Sequence, residues 1–391
     1  MLLTRIIVFV TLLLMIAANT YSQSIYWANE LVGYSSQQSN KEYSANQALG
    51  EPSIMPYQGL SACSWMPKFP TNKIEWIRVR FPEKIHVNEI IINENLNPGA
   101  IVKVVLYDSI HQGYLVYNNN LVSGNASNGR LLKIPIEKTA FKCRELKIEV
   151  NLSEYLDYYQ IDAIGIADHI TDFELKVNAK EYKRIYIRDH LGSNVNSPYR
   201  ELAPIISQDG KTLVFTREGH PENVGMAKKQ DVWMTKIDSF KIFQPAINLG
   251  SPINNENANF AISVSTDANE IVLGNIYLPN GKTNVGYSKS RFTGHEWTYP
   301  DSLKIKNFYS FFPTGSGCLA NNGKFLITSI KREDSYGKTD LYVSFLDRND
   351  LWSEPVNLGP VINTAEEELS PYLAGDNKTL YFSSGEVSWI R

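Results

Sequence analysis

The chain has 391 residues, room for two or three domains. Its 38 basic and 41 acidic residues leave a net charge of −3, with no block of one sign, which argues against a nucleic-acid-binding face. Three cysteines exclude a disulfide-dense scaffold, and 12% aromatic residues without Ala-rich helical patterns point to β structure.

Residues 1–22 read as a secretory signal peptide. Arg5 precedes an apolar run from Ile6 to Ala18, and polar or small residues follow to Ser22. The run is too short to span a bilayer comfortably, and no later segment is long and apolar enough to do so. No cysteine stands at the cleavage point, which argues against a lipid anchor. The expected location is outside the cytoplasm: periplasmic, outer-membrane associated or extracellular.

Residues 23–169 read as short antiparallel strands. "EWIRVRF" (75–81) alternates apolar and charged residues, as a half-buried strand must. "VNEIIINEN" and "AIVKVVLYDS" follow, separated by the Asn97-Pro98-Gly99 turn signal. "RLLKIPIE", "RELKIEVNL" and a closing "YYQIDAIGIADH" complete the set. This pattern predicts a β-sandwich.

"YSANQALGEPS", the strands around "NPG" and "YYQIDAIGIAD" resemble, in that order, the discoidin-like or galactose-binding-like jelly-roll domains. The resemblance spans about 140 residues of the chain. It implies binding through loops at one end of the sandwich, with glycans, lipid headgroups or proteins as ligands. Tyr57, Trp65 and Phe69 fall in these loops. They either form a stacking surface for sugar rings or pack the base of the loop. The resemblance also implies a structural calcium near Glu51, for which few side-chain oxygens are at hand. Cys63 and Cys143 share this half, so one bridge between them is open in an oxidising compartment. Cys318 reads as a small buried hydrophobe.

Residues 170–391 repeat with a period of about 55 residues. Leu191-Gly192, Leu249-Gly250 and Leu358-Gly359 each lead to an asparagine: Asn196, Asn254 and Asn363. A degenerate copy places Asn307 and Pro313 in the matching positions. "SQDGKTLVF", "STDANEIVL", "ANNGKFLI" and "AGDNKTLYF" give a tight turn leading into an apolar strand in each copy. Asp231 and Asp340 open a second hairpin in each unit. Four strands per period is the size of a propeller blade.

The repeat resembles the WD40-like (PD40) unit of TolB-type propellers. Exported envelope proteins of Bacteroidetes-type bacteria carry similar units. Residues 172–192 read as a second half-unit and residues 357–386 as a first half-unit. The expectation is a four-bladed ring clasped by both ends, or a six-bladed propeller in truncated form. The fold class is therefore all-β: a jelly-roll sandwich followed by a propeller.

No catalytic motif appears. The six histidines are scattered, and no G-x-S-x-G, P-loop or dinucleotide fingerprint occurs. Asp209, Asp267 and Asp376 recur in the repeat turns, which favours shaping the turn over catalysis. Glu366-Glu367-Glu368 reads as a solvated loop. No cofactor is expected beyond the structural calcium. The reading is a non-catalytic binding or scaffold protein for envelope proteins or glycans. The alternatives are a carbohydrate-active enzyme with an N-terminal binding module, and a truncated OmpA-like envelope or secretion component.

Overall fold

The computed structural model describes residues 25–54, 59–68, 74–119, 129–153, 155, 157–175, 190–313 and 315–385. The signal-peptide expectation, Tyr57, Phe69 and most of the 172–192 half-unit lie outside the described residues. The chain is all-β, and it divides into two compact units near residue 178.

The first unit holds β1 (Tyr26–Trp27), β2 (Glu30–Tyr34), β3 (Ile74–Ile85), β4 (Glu89–Glu94), β5 (Ile101–Tyr107), β6 (Gly113–Asn118), β7 (Arg130–Pro135), β8 (Cys143–Asn151) and β9 (Ala163–Ala167). They form two antiparallel sheets, ordered β1-β9-β4-β7 and β2-β3-β8-β5-β6. One core draws on both. Ile77, Val79 and Phe81 of β3 meet Ile90 and Ile92 of β4 and Ile164 and Ile166 of β9. The period of two in β3 sends these residues inward and leaves Arg78 and Arg80 outside. Those two arginines pair with Glu145 on neighbouring β8, at 2.7 and 2.8 Å. β2 and β6 are strands that the sequence hid. Each carries a glycine that lies under a ring, Gly33 beneath Trp76 and Gly113 beneath Tyr107.

The second unit repeats a simple sheet. β10 (Arg200–Ile206), β11 (Thr212–Glu218), β12 (Gln230–Lys236) and β13 (Ile247–Asn248) form an antiparallel meander. β14 (Ala261–Val264), β15 (Glu270–Tyr277), β16 (Thr283–Arg291) and β17 (Asp301–Ser302) repeat it. So do β18 (Gly317–Leu319), β19 (Phe325–Ile330), β20 (Asp340–Phe345) and β21 (Val356–Asn357). β22 (Glu368–Leu373) and β23 (Leu380–Ser384) form a fourth, two-stranded sheet.

Each sheet packs face to face on the next. Val214 and Val232 meet Ile271 and Leu273; Val272 and Tyr287 meet Leu326; Ile327 and Leu341 meet Leu373 and Leu380. The turns follow the sequence expectation. Gly210, Gly323 and Asn377 take positive φ of 70°, 66° and 53°. Asp209 and Asp267 accept the Ser207 and Ser265 hydroxyls and then backbone N–H groups, and Asp376 accepts the Thr379 N–H, within their own turns; these bonds hold their pKa values below the usual carboxylate range.

Two alignments need correction. Counting back from the turns, Gly317 takes the place of Pro204 and Pro371, and Pro313 lies before the strand. Asn307 is exposed and donates to Glu354, whereas Asn254 and Asn363 are buried. The insertions around "FYSFFPTG" obscure the register there.

Candidate functional site

The family resemblance implied a binding surface in the loops of residues 43–70, with Trp65 either on it or packing the loop base. Trp65 packs the base. The indole is fully buried in the core, and Nε1 donates to the Ser36 carbonyl at 3.0 Å. Its backbone pairs with Ile161, so the ring points inward from a bridge between loop and closing strand. Glu51 is exposed, and among the described residues no three His, Cys, Asp or Glu side chains gather to hold a metal. Cys63, Cys143 and Cys318 are all buried and none is in a disulfide, so the Cys63–Cys143 bridge is not formed. Burial pushes the Cys143 thiol up to about 12.

What the structure adds is the way these loops are held. Residues 160–162 precede β9 in extended form, so Gln160 and Asp162 share one side while Ile161 enters the core. Asp162 accepts from the Ser53 N–H at 2.9 Å, the Ser53 hydroxyl at 2.7 Å and the Ile54 N–H at 3.2 Å. Asn93 also donates to it at 2.8 Å and reaches the Ile54 carbonyl at 2.7 Å. Gln160 makes a reciprocal pair with Ser61, accepting its N–H at 2.9 Å and donating to its carbonyl at 2.6 Å. Asn95 donates to the Gly59 carbonyl at 2.8 Å. Glu94 collects Gly99 N–H, the Tyr159 hydroxyl and Arg130.

Buried polar groups cost free energy unless they are hydrogen-bonded. Here they grip residues 53–54 and 59–61, the two flanks of the segment that carries Tyr57. Burial pushes Asp162 up to about 7, against the pull of its four donors. The signal was present in "YYQIDAIGIAD": polar Gln160 and Asp162 alternate with apolar neighbours, a pattern easily taken for an ordinary edge strand.

The second unit holds a cavity of about 550 Å³. Its walls come from β10, β14, β18 and β22, the first strand of each repeat sheet. Ile206, Val264, Leu319 and Tyr372 supply apolar surface. Gln208, Asn321, Ser316 and Ser370 supply uncharged hydrogen-bonding groups. Among the described residues, none that lines it is Asp, Glu, His, Lys or Arg. Cys318 lies in the wall, accepts the Leu373 N–H at 3.4 Å, and has its thiol pKa raised by burial.

Other acids serve the frame. Asp231 accepts from Val224 N–H and Asn248, and Asp340 from Tyr336 N–H and Asn357. The run 366–368 differs from its expectation. Glu366 and Glu368 are buried, and Glu366 pairs with Lys338 at 3.0 Å; Glu367 alone faces solvent. Among the described residues no helix is long and apolar enough to cross a membrane.

No family model matches the chain, and no curated protein matches it. Solved structures do. The chitosan-binding module 1 of a chitosanase/glucanase from Paenibacillus sp. IK-5 is 13% identical, with a TM-score of 0.28, over 36% of this chain and 95% of that one. The family 32 carbohydrate-binding module of Streptococcus pneumoniae EndoD is 10% identical, with a TM-score of 0.27, over 36% and 94%. A truncated AlyQ with CBM32 and alginate lyase domains is 11% identical, with a TM-score of 0.24, over 82% and 80%. These likenesses assign no ligand to this chain.

Proposed function

We propose that this is an exported, non-catalytic binding protein: a jelly-roll sandwich followed by a propeller-like ring that takes a neutral glycan or an uncharged protein segment of the cell envelope. The observation that carries this reading is the composition of the cavity. It is large enough for a small ligand, and its wall combines apolar side chains with amides and hydroxyls. Amides, hydroxyls and a tyrosine ring suit the hydroxyls and flat faces of a neutral sugar. A glycosidase in this cavity would need a pair of carboxylates, about 5–10 Å apart. The described wall supplies none. In the first unit, the buried clamps on residues 53–54 and 59–61 support a second contact surface at the loop end.

The test is calorimetric titration of the full chain with neutral and charged soluble polysaccharides, alongside an assay for chain cleavage. Saturable binding of a neutral polymer without cleavage is expected. Ile206→Trp, which fills the cavity from a partly exposed position, removes it. Cleavage, or binding unchanged in Ile206→Trp, overturns the reading.

A further inference from the structure

The strands that line the cavity run the same way, because bonds join turn to turn and entry to entry. At the turn end the Thr266 hydroxyl donates to Gln208 at 3.3 Å, and the Asn321 N–H to Asn377 at 2.9 Å. At the entry end the Ser370 N–H donates to Ser316 Oγ at 2.7 Å. The two ends differ in chemistry. The turns at 207–211, 265–269, 320–324 and 374–378 contain no aromatic residue. The segments that lead into β10, β14 and β18 hold Tyr199, Phe260 and the run Phe308-Tyr309-Ser310-Phe311-Phe312.

That run is the insertion that breaks the third repeat, and it is firmly mounted. The Phe311 N–H donates to the Lys331 carbonyl at 2.9 Å, and the Lys331 N–H to Ser310 Oγ at 3.3 Å. The Tyr309 hydroxyl accepts the Glu333 N–H at 3.3 Å, and its ring lies 4.2 Å from the Arg332 guanidinium. Arg332 is itself buried and paired with Glu354 at 2.8 Å. Yet Phe311 and Phe312 are 60% and 47% exposed. Neighbouring rings held outward on a fixed loop mark a contact surface. Three residues beyond Phe312, Gly315 lines the cavity, and three residues reach at most about 11 Å.

A second observation lies inside the entry end. Thr216 stands opposite Leu202, lines the cavity and is 2% exposed. Among the described residues its hydroxyl has no hydrogen-bond partner. Ser329 holds the same place after the third turn as Thr216 after the first, and its hydroxyl donates to the Glu368 carbonyl at 2.6 Å. A buried hydroxyl without a partner costs free energy that a bound ligand recovers. Phe260 forms part of the same wall. Its ring lies over Gly274, where a Cβ would come within 2.1 Å of it.

Taking the cavity as the binding site of a neutral ligand, we propose that the ligand is the end of a neutral polysaccharide chain that enters where the first strands begin. Its terminal sugar seats against Thr216 and Phe260, and the following units stack on Phe311 and Phe312. A neutral sugar offers a hydroxyl to Thr216 and a flat C–H face to each ring. The guanidinium nearest the rings is already paired with Glu354, so the rings meet the chain. Because the loop is mounted before the ligand arrives, little ordering cost opposes the stacking.

Calorimetric titration of the full chain tests this with laminarin, dextran and soluble galactomannan, each alongside the trisaccharide and hexasaccharide of its backbone. For one of these backbones the hexasaccharide is expected to bind about tenfold tighter than the trisaccharide, the effect of two stacked rings. The double variant Phe311→Ala, Phe312→Ala removes that gain and leaves trisaccharide binding as it was. Thr216→Val weakens both lengths alike and leaves the melting temperature unchanged, since the hydroxyl it removes has no partner to lose. If length brings no gain, or if the gain survives the double variant, the chain-end proposal fails while the cavity remains the site. If no glycan binds but a capped Ser- and Leu-containing hexapeptide does, and Ile206→Trp excludes it, the occupant is a protein segment and the proposal is overturned. If nothing binds, or if Ile206→Trp leaves binding intact, the reading of the cavity fails and the proposal fails with it.

Discussion

Asn254 grips Val232 from both sides: its Oδ1 accepts the Val232 N–H at 2.8 Å, and its Nδ2 donates to the Val232 carbonyl at 2.9 Å. Asn363 does the same to Leu341, at the same two distances. Each amide also reaches the side chain of Asn248 or Asn357, which accepts the N–H of the Gly in the Leu-Gly pair. The repeated asparagine thus ties the start of one repeat to the third strand of the sheet before it. Asn196 is the same residue of the first repeat, but its buried Oδ1 has no partner among the described residues.

This difference sets a prediction. Asn254→Ala or Asn363→Ala strands a buried backbone N–H and should cost about 1–3 kcal/mol each. Asn196→Ala strands none and should cost about 0.5 kcal/mol or less. Urea unfolding of the three variants decides it. An Asn196→Ala loss as large as the other two means that Asn196 has a buried backbone partner outside the described residues.

Trp65 should behave as a core residue. Trp65→Ala is expected to destabilise the first unit by about 3–5 kcal/mol, through lost burial and the cavity left behind. Trp65→Phe keeps most of the packing and loses only the bond to Ser36. Thermal melts measure both. A variant with unchanged melting and selectively weakened glycan binding would return Trp65 to the ligand surface.

Asp162 makes stability depend on pH. Its folded pKa is raised to about 7 from an ordinary 3.8, so the folded state holds a proton that the unfolded chain has already released between those values. Its contribution is therefore complete below the ordinary value and declines as pH rises through about 7. Asp162→Asn lowers stability overall, since the amide nitrogen faces backbone donors, and it also flattens this slope. Melting temperatures from pH 5 to 8 compare the two proteins; equal slopes would show that Asp162 stays ionised under its four donors.

The thiols give a simpler check. All three cysteines are buried and unbridged, and Cys143 has its pKa pushed to about 12. A thiol reagent at neutral pH should react slowly with the native chain and with three groups after unfolding in denaturant. Fewer than three in the unfolded, unreduced protein would reveal a bridge.

How much of this was legible follows from period and distance. Alternation placed β3, because a half-buried strand writes its face into every second residue. The repeat placed the turns, because Gly210, Gly323 and Asn377 must take positive φ. Register failed where insertion broke the count, around Asn307 and Pro313. The sequence left Trp65 open between stacking surface and loop base, since a Trp in a loop looks the same whether its ring points out or in.

The sequence by itself determined that the chain is all-β and built from a strand-turn-strand repeat, because both properties depend on neighbours a few residues apart. Only the tertiary structure decided which polar groups are buried. Asp162 reaches Ser53 across more than a hundred residues, and no local pattern records that contact. It likewise decided that β12 lies along β11, whereas among the described residues β23 pairs with β22 alone. The sequences of β11 and β23 are almost alike, and the difference lies in which other strand lies alongside.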